Sequence, residues 1–196
     1  MVRARGTTEM PRASTVRAYG VGILFAVALA ACGETTRPDG GVGLLSVGAA
    51  APEIVGEDAA GNPVKLSDQK GKMSVVFFYP KDGTPGCTKQ ACAFRDAFDK
   101  LQKAGVTVFG VSRDSVESHR EFRKEHQLPF AMVADESGAA MTAYGVPAKY
   151  FIMSDRVTFL VDDQGKIAQV WPEVDPAVDA DRVLAASKEI SAGTPS

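Results

Sequence analysis

The chain has 196 residues, 45% of them hydrophobic and 23% charged, and a formal net charge of −2. That length and composition suit one globular domain with a real core and are short for two. A mildly acidic chain without a basic run has no electrostatic footing for nucleic acid, and three cysteines are too few for a disulfide scaffold.

Arg3, Arg5, Arg12 and Arg17 precede an apolar run from Val21 to Ala31. The run falls short of the roughly 20 residues that span a bilayer and suits the core of a signal peptide. It ends in Leu29-Ala30-Ala31-Cys32, which resembles the lipobox of bacterial lipoproteins. The other reading is an ordinary signal peptide with a cysteine at its cleavage site. The lipobox resemblance implies cleavage after residue 31, a lipid on Cys32, and an exported, membrane-anchored protein facing the periplasm. Met10 is an alternative start to Met1. Losing residues 1–31 removes four arginines and one glutamate, which takes the net charge from −2 to −5. Residues 33–46, GETTRPDGGVGLLS, lack periodicity and predict a flexible tether, so the chain divides into 1–31, 32–46 and a folded domain over 47–196.

Pro63 to Leu66 after the Gly61-Asn62 turn predict an N-terminal hairpin, and Val75 to Tyr79, VVFFY, a strand buried on both faces. Ala91, Phe94, Ala97, Phe98 and Leu101 recur at helical spacing, with Gly105 as the stop. Val106 to Val111 is a second strand. Asp114 with Glu117 suggests a capping box for a helix reaching about His126. Phe130 to Val133 predicts a strand and Ser137 to Tyr144 a short helix. Val157 to Val161 turns at Asp163-Gln164-Gly165 into Ile167 to Trp171, a hairpin, and a last amphipathic helix uses Val178, Val183, Leu184 and Ile190. This order predicts an α/β protein, a central mixed sheet flanked by helices, compatible with a thioredoxin-like fold.

The chemistry-bearing segment is Tyr79 to Asp96, YPKDGTPGCTKQACAFRD, between a buried strand and a helix. Amides at a helix start are unpaired and the dipole there is positive, which favours the reactive thiolate of a cysteine such as Cys87. Thr84 can bring a hydroxyl to the sulfur, and Pro80 and Pro85 stiffen the loop. Cys92 reads either as an inert buried thiol or as a partner of Cys87, in a structural bridge or a working redox pair. On one helix their Cα atoms would lie about 8.7 Å apart. A disulfide tolerates about 7 Å or less, so bonding requires the first turns to unwind.

Pro80-x-x-x-Thr84-x-x-Cys87 resembles the peroxiredoxin signature, and the surrounding block is similar to the Q-type branch, also called bacterioferritin comigratory protein. The likeness runs from about Val47 to Ala186. It implies a thioredoxin-like fold and a thiol peroxidase acting on hydrogen peroxide and organic hydroperoxides. Cys87 would form the sulfenic acid, Cys92 would resolve it, and a thioredoxin-like donor would restore both thiols. Thr84 would hydrogen-bond thiolate and peroxide, Pro80 would shield the pocket, and Arg156, before Val157-Thr158-Phe159, matches the family's arginine. No cofactor and no metal are implied, and a monomer is expected. Gln90 departs from the glutamate of many relatives, and Gly145 to Asp155 matches only loosely.

His119 and His126 lie about 10 Å apart along one helix face, too far to share a metal, and read as surface or boundary residues. Asp162 to Gly165 reads as a hairpin turn rather than a cation loop. HREFRKEH, 119–126, reads as a solvated face, and Lys81 and Asp82 as loop surface or steering charges. A disulfide reductase would use C-x-x-C and a copper-delivery redoxin C-x-x-x-C. Here Cys87 and Cys92 are separated by four residues, and a non-enzymatic lipoprotein leaves the Pro-Thr-Cys pattern unexplained.

Overall fold

A computed structural model describes residues 35–149 and 153–193. The segment carrying Cys32 and the apolar run lies outside the described residues. Strands β1 (Val55–Glu57) and β2 (Pro63–Lys65) form the expected hairpin, followed by a short 3-10 turn. Next come β3 (Met73–Phe78), helices α1 (Pro85–Asp96) and α2 (Phe98–Lys103), β4 (Val106–Ser112) and α3 (Val116–His126). The chain continues through β5 (Ala131–Ala134), α4 (Ala139–Ala143), a small pair β6 (Ala148–Lys149) and β7 (Met153–Ser154), β8 (Val157–Val161), β9 (Ile167–Trp171) and α5 (Asp179–Gly193). Seven strands make one sheet in the order β2-β1-β5-β4-β3-β8-β9, parallel at β3/β4 and β4/β5 and antiparallel elsewhere. This is the mixed, helix-flanked sheet of a thioredoxin-like fold.

The alternation of a strand puts β3 side chains on two separate cores. Val75 and Phe77, with Tyr79 just beyond, pack with α1, α2, α3 and α5; Val76 and Phe78 pack with α4 and the N-terminal segment. From Val75 to Phe78 the strand is apolar at every position because both faces are covered. Phe77 stacks on Phe94 of α1, ring centroids 4.5 Å apart, and beneath it Gly110 leaves the space. A Cβ at Gly110 would lie 2.7 Å from the Phe77 ring. Burying a side chain such as Phe94 completely contributes about 1.5–3 kcal/mol, so this stack seats α1 firmly on the sheet.

Four local expectations are corrected. The single helix expected through Leu101 is two, because Ala97 leaves the helix (φ −89°, ψ −3°) and the break turns Phe98 toward Phe130. Ser115, not Asp114, caps α3, its hydroxyl accepting from Ser118 N–H at 3.2 Å. Asp114 is drawn away, accepting instead from the Asp82 N–H and the Ser112 hydroxyl. Val178 precedes α5 and is exposed, leaving Ala180, Val183 and Leu184 as the buried face.

The fourth concerns the tether. Residues 35–46 are already packed on the body: Thr35 donates to the Val146 carbonyl, Leu45 N–H to that of Tyr144, and Leu45 is buried. Gly43 passes so close that a Cβ on Gly145 would sit 1.8 Å from its carbonyl oxygen. The physical reason is an uncovered core. The short α4 covers only part of the second face, and Leu44 and Leu45 close it.

Candidate active site

After the loop 79–84 that follows β3, helix α1 begins at Pro85, because Pro85 fits the first helical position and Thr84 before it is extended. Thr84 makes no side-chain cap; its hydroxyl donates to the Lys81 carbonyl at 3.1 Å rather than pointing to Cys87. The amides of this first turn therefore have no side-chain acceptor from Thr84, and Cys87 stands among them, 1% exposed.

Arg156, just before β8, reaches across to this turn. Its Nη2 lies 3.3 Å from Cys87 Sγ, and its Nη1 donates to Gln90 Oε1. Gly86 makes the approach possible, since a Cβ there would already be 3.3 Å from Nη2. A fixed cation and the positive end of a helix thus converge on one sulfur. Both are placed to stabilise negative charge that develops on an oxygen brought to that sulfur.

Behind the arginine is a buried relay that sequence reasoning missed. Gln90, fully buried one turn along α1, donates through Nε2 to Asp179 Oδ2 at 2.7 Å, and Thr158 Oγ1 donates to the same oxygen at 2.8 Å. Asp179 is fully buried and its Oδ1 has no hydrogen-bond partner among the described residues. Burial pushes its carboxyl above the ordinary value, against the hydrogen bonds from Gln90 and Thr158 and the charges of Arg182 and Arg156. In the sequence Asp179 reads as an ordinary acid in the first turn of a helix.

A second missed cluster fixes the loop before Cys87. Asp82 accepts from the Tyr79 hydroxyl at 2.6 Å and the Ser118 hydroxyl at 2.8 Å, and meets His119 Nδ1 at 2.8 Å. His119 Nε2 faces the Val133 carbonyl at 3.1 Å. Burial alone would raise the Asp82 carboxyl, but bonding and charge from His119, with Tyr79 and Ser118, hold it below the usual value. His119 is thus buried at the foot of the loop, not at the surface or boundary as expected, and Asp82 is no loop-surface charge. Ser154 of β7 closes the other side, its hydroxyl donating to the Tyr79 carbonyl at 2.6 Å, next to Pro80.

Cys92 lies on the same helix, half-buried and not bonded to Cys87. Arg95 sits beside it, and hydrogen bonding to Asp96, with a smaller contribution from Cys92, raises its guanidinium against the effect of burial. Arg95 Nη1 donates to the His126 carbonyl at 2.9 Å, which ties the far end of α1 to the end of α3. The structure therefore brings together Cys87, Arg156 and Gln90, keeps Thr84 and Pro80 in the adjoining loop, and sets Cys92 further along α1.

A sulfur at a helix start under an arginine, on a thioredoxin-like sheet, is suited to thiol chemistry on a polar substrate. Residues 47–170 match the AhpC/TSA family, and the chain belongs to it, within the peroxiredoxin Q/Bcp group. A peroxiredoxin bcp of Coxiella burnetii is 43% identical over 136 residues, 66% of this chain and 90% of its own. Peroxiredoxin Q of Sedum lineare chloroplasts is 46% identical over 65% of this chain and 69% of its own. Among solved structures, the bacterioferritin comigratory protein of Xanthomonas campestris superposes with a TM-score of 0.65 at 35% identity, over 70% of this chain and 92% of that one. The protein is a thiol-dependent peroxidase, an oxidoreductase.

Proposed function

We propose that Cys87 is the attacking sulfur of this peroxidase and that Cys92 resolves its product. The observation that carries the reading is Arg156 Nη2 at 3.3 Å from Cys87 Sγ, at the first turn of α1. The thiolate attacks the terminal oxygen of a hydroperoxide, the S–O bond forms as the O–O bond breaks, and the alkoxide or hydroxide leaves and takes a proton. The guanidinium and the helix amides stabilise the charge that moves onto oxygen. Thr84 turns its hydroxyl from Lys81 to the bound peroxide, and Pro80 keeps water from the sulfur. The Cys92 thiol then attacks the sulfenic sulfur, releasing water and leaving a disulfide, which a dithiol donor of thioredoxin type reduces. Organic hydroperoxides join hydrogen peroxide as substrates, a reading supported by the alkyl peroxide reduction reported for the Xanthomonas campestris relative. With both cysteines on one helix, the cycle is complete within a single chain, and the protein works as a monomer.

Disulfide formation requires α1 to open, since about 8.7 Å separates two Cα atoms five residues apart on a helix. One equivalent of peroxide is expected to yield a Cys87–Cys92 disulfide by mass, together with a loss of far-UV helical signal that dithiothreitol reverses. A disulfide form with an unchanged spectrum would remove Cys92 from this role. The same proposal takes Cys32 as the lipid-bearing residue of an exported, envelope-anchored protein. Incorporation of a fatty-acid analogue in cells should vanish in Cys32→Ala; labelling that persists would refute the anchor.

A further inference from the structure

Gln90 is a buried amide, and its two ends face groups of opposite demand. Arg156 offers only donors, so it needs the amide oxygen. Asp179, when ionised, offers only acceptors and needs the amide NH2. The observed chain of bonds satisfies both: Arg156 Nη1 to Gln90 Oε1, and Gln90 Nε2 to Asp179 Oδ2 at 2.7 Å. Thr158, two residues beyond Arg156 on the same strand face, holds the same carboxylate oxygen from the side at 2.8 Å. All three side chains Gln90, Thr158 and Asp179 are fully buried, so no water competes for these bonds.

We infer that Asp179 is a positioning residue of the peroxidase site: it holds the Gln90 amide in one orientation and so aims the Arg156 guanidinium at Cys87. This inference rests on the reading of Cys87 as attacking sulfur and Arg156 as its cation. Three features of the site lead to it. A buried carboxylate is costly to keep, and this one even leaves Oδ1 without a partner among the described residues, so packing alone is a poor reason for it. Its bonds run to Arg156's neighbour on β8 and to Arg156's acceptor on α1, which locks the arginine from both elements. It also explains why residue 90 is an amide. A glutamate there would bring two carboxylates within hydrogen-bond distance, and both could not ionise.

The polarity of the relay makes a reciprocal exchange possible. In Gln90→Glu/Asp179→Asn, the new carboxylate still accepts from Arg156, and the new amide donates to that carboxylate from the other side. The measured quantity is the pseudo-first-order loss of the Cys87 thiol under excess hydrogen peroxide, trapped with N-ethylmaleimide and read by mass. Gln90→Glu alone and Asp179→Ala alone are each expected to slow it about tenfold, an ordinary size for coupled neighbours. The double exchange is expected to recover to within about threefold of the parent rate, which a merely structural role would not do. A double variant as slow as the product of Gln90→Glu and Asp179→Asn would overturn the inference, as would a parent-like rate in Gln90→Glu. Should Asp179→Ala not fold, the exchange pair decides the matter by itself. Two controls run alongside, Arg156→Gln in the same thiol assay and Cys87→Ser by consumption of hydrogen peroxide: if both behave like the parent the underlying reading fails, and if they alone are impaired only Asp179 loses its role.

Discussion

Cys87→Ser is expected to abolish peroxide turnover while the protein keeps its fold. The side chain changes one atom, in a site where the sulfur is 1% exposed and packed among Tyr79, Ala91 and other core residues, so little volume is lost. The chemistry is lost entirely. A serine hydroxyl is not ionised near neutrality, even beside Arg156, and oxygen attacking oxygen cannot yield a sulfenic acid or a disulfide. Loss of a catalytic nucleophile typically lowers turnover by far more than about 10³-fold. Consumption of hydrogen peroxide or cumene hydroperoxide, coupled through thioredoxin and its reductase to NADPH, should therefore fall to the level of the buffer. Turnover retained in Cys87→Ser would mean that another group reacts with peroxide. Cys92→Ser separates the two steps: Cys87 should still oxidise, and only the disulfide should fail to form.

The second large effect belongs to Arg156. Its two terminal nitrogens do different work, Nη2 facing Cys87 Sγ at 3.3 Å and Nη1 bonded to Gln90. Arg156→Gln removes the only cation in direct contact with the sulfur among the described residues. Removing one aimed donor from the charge-stabilising set of an enzyme typically costs about 10²–10³ in rate, or roughly 3–4 kcal/mol. That loss is expected in the rate of Cys87 oxidation at neutral pH. Arg156→Lys should recover little of it, because an ammonium is a single point and cannot serve Gln90 and Cys87 with separate nitrogens. A lysine variant that reacted like the parent would show that charge alone suffices and that the fork is unimportant.

Much of the fold is legible along the chain, and for definite reasons. The β8–β9 hairpin falls where expected because Val157 to Val161 and Ile167 to Trp171 flank a turn at Gly165, whose φ of +80° suits glycine. The central strand announces itself by the apolar run Val75–Phe78, since burial on both faces favours apolar side chains at successive positions. The end of α3 is equally local, with Gln127 in the left-handed region directly after His126. Elements whose limits depend on remote partners are the ones that differ. Asp114 reads as a cap until Asp82, 32 residues away, supplies a backbone N–H for its carboxylate. Residues 35–46 read as a tether until Tyr144 and Val146 supply partners for them.

The site divides along the same line. By itself the sequence determined which sulfur stands at a helix start, Cys87, and which cysteine follows it five residues on, because these are matters of residue type and spacing, while the family resemblance singled out the arginine before the strand Val157–Val161. Only the tertiary structure decided that Arg156 touches that sulfur, that Gln90 and Asp179 hold the arginine, and that His119 and Asp82 anchor the loop. Cys87 and Asp179 are 92 residues apart in the chain, and nothing in the composition near Asp179 marks it. A carboxylate acquires its role from whatever donors the packed core leaves beside it. In this chain those donors come from two elements, α1 and β8, that meet only when the sheet has formed.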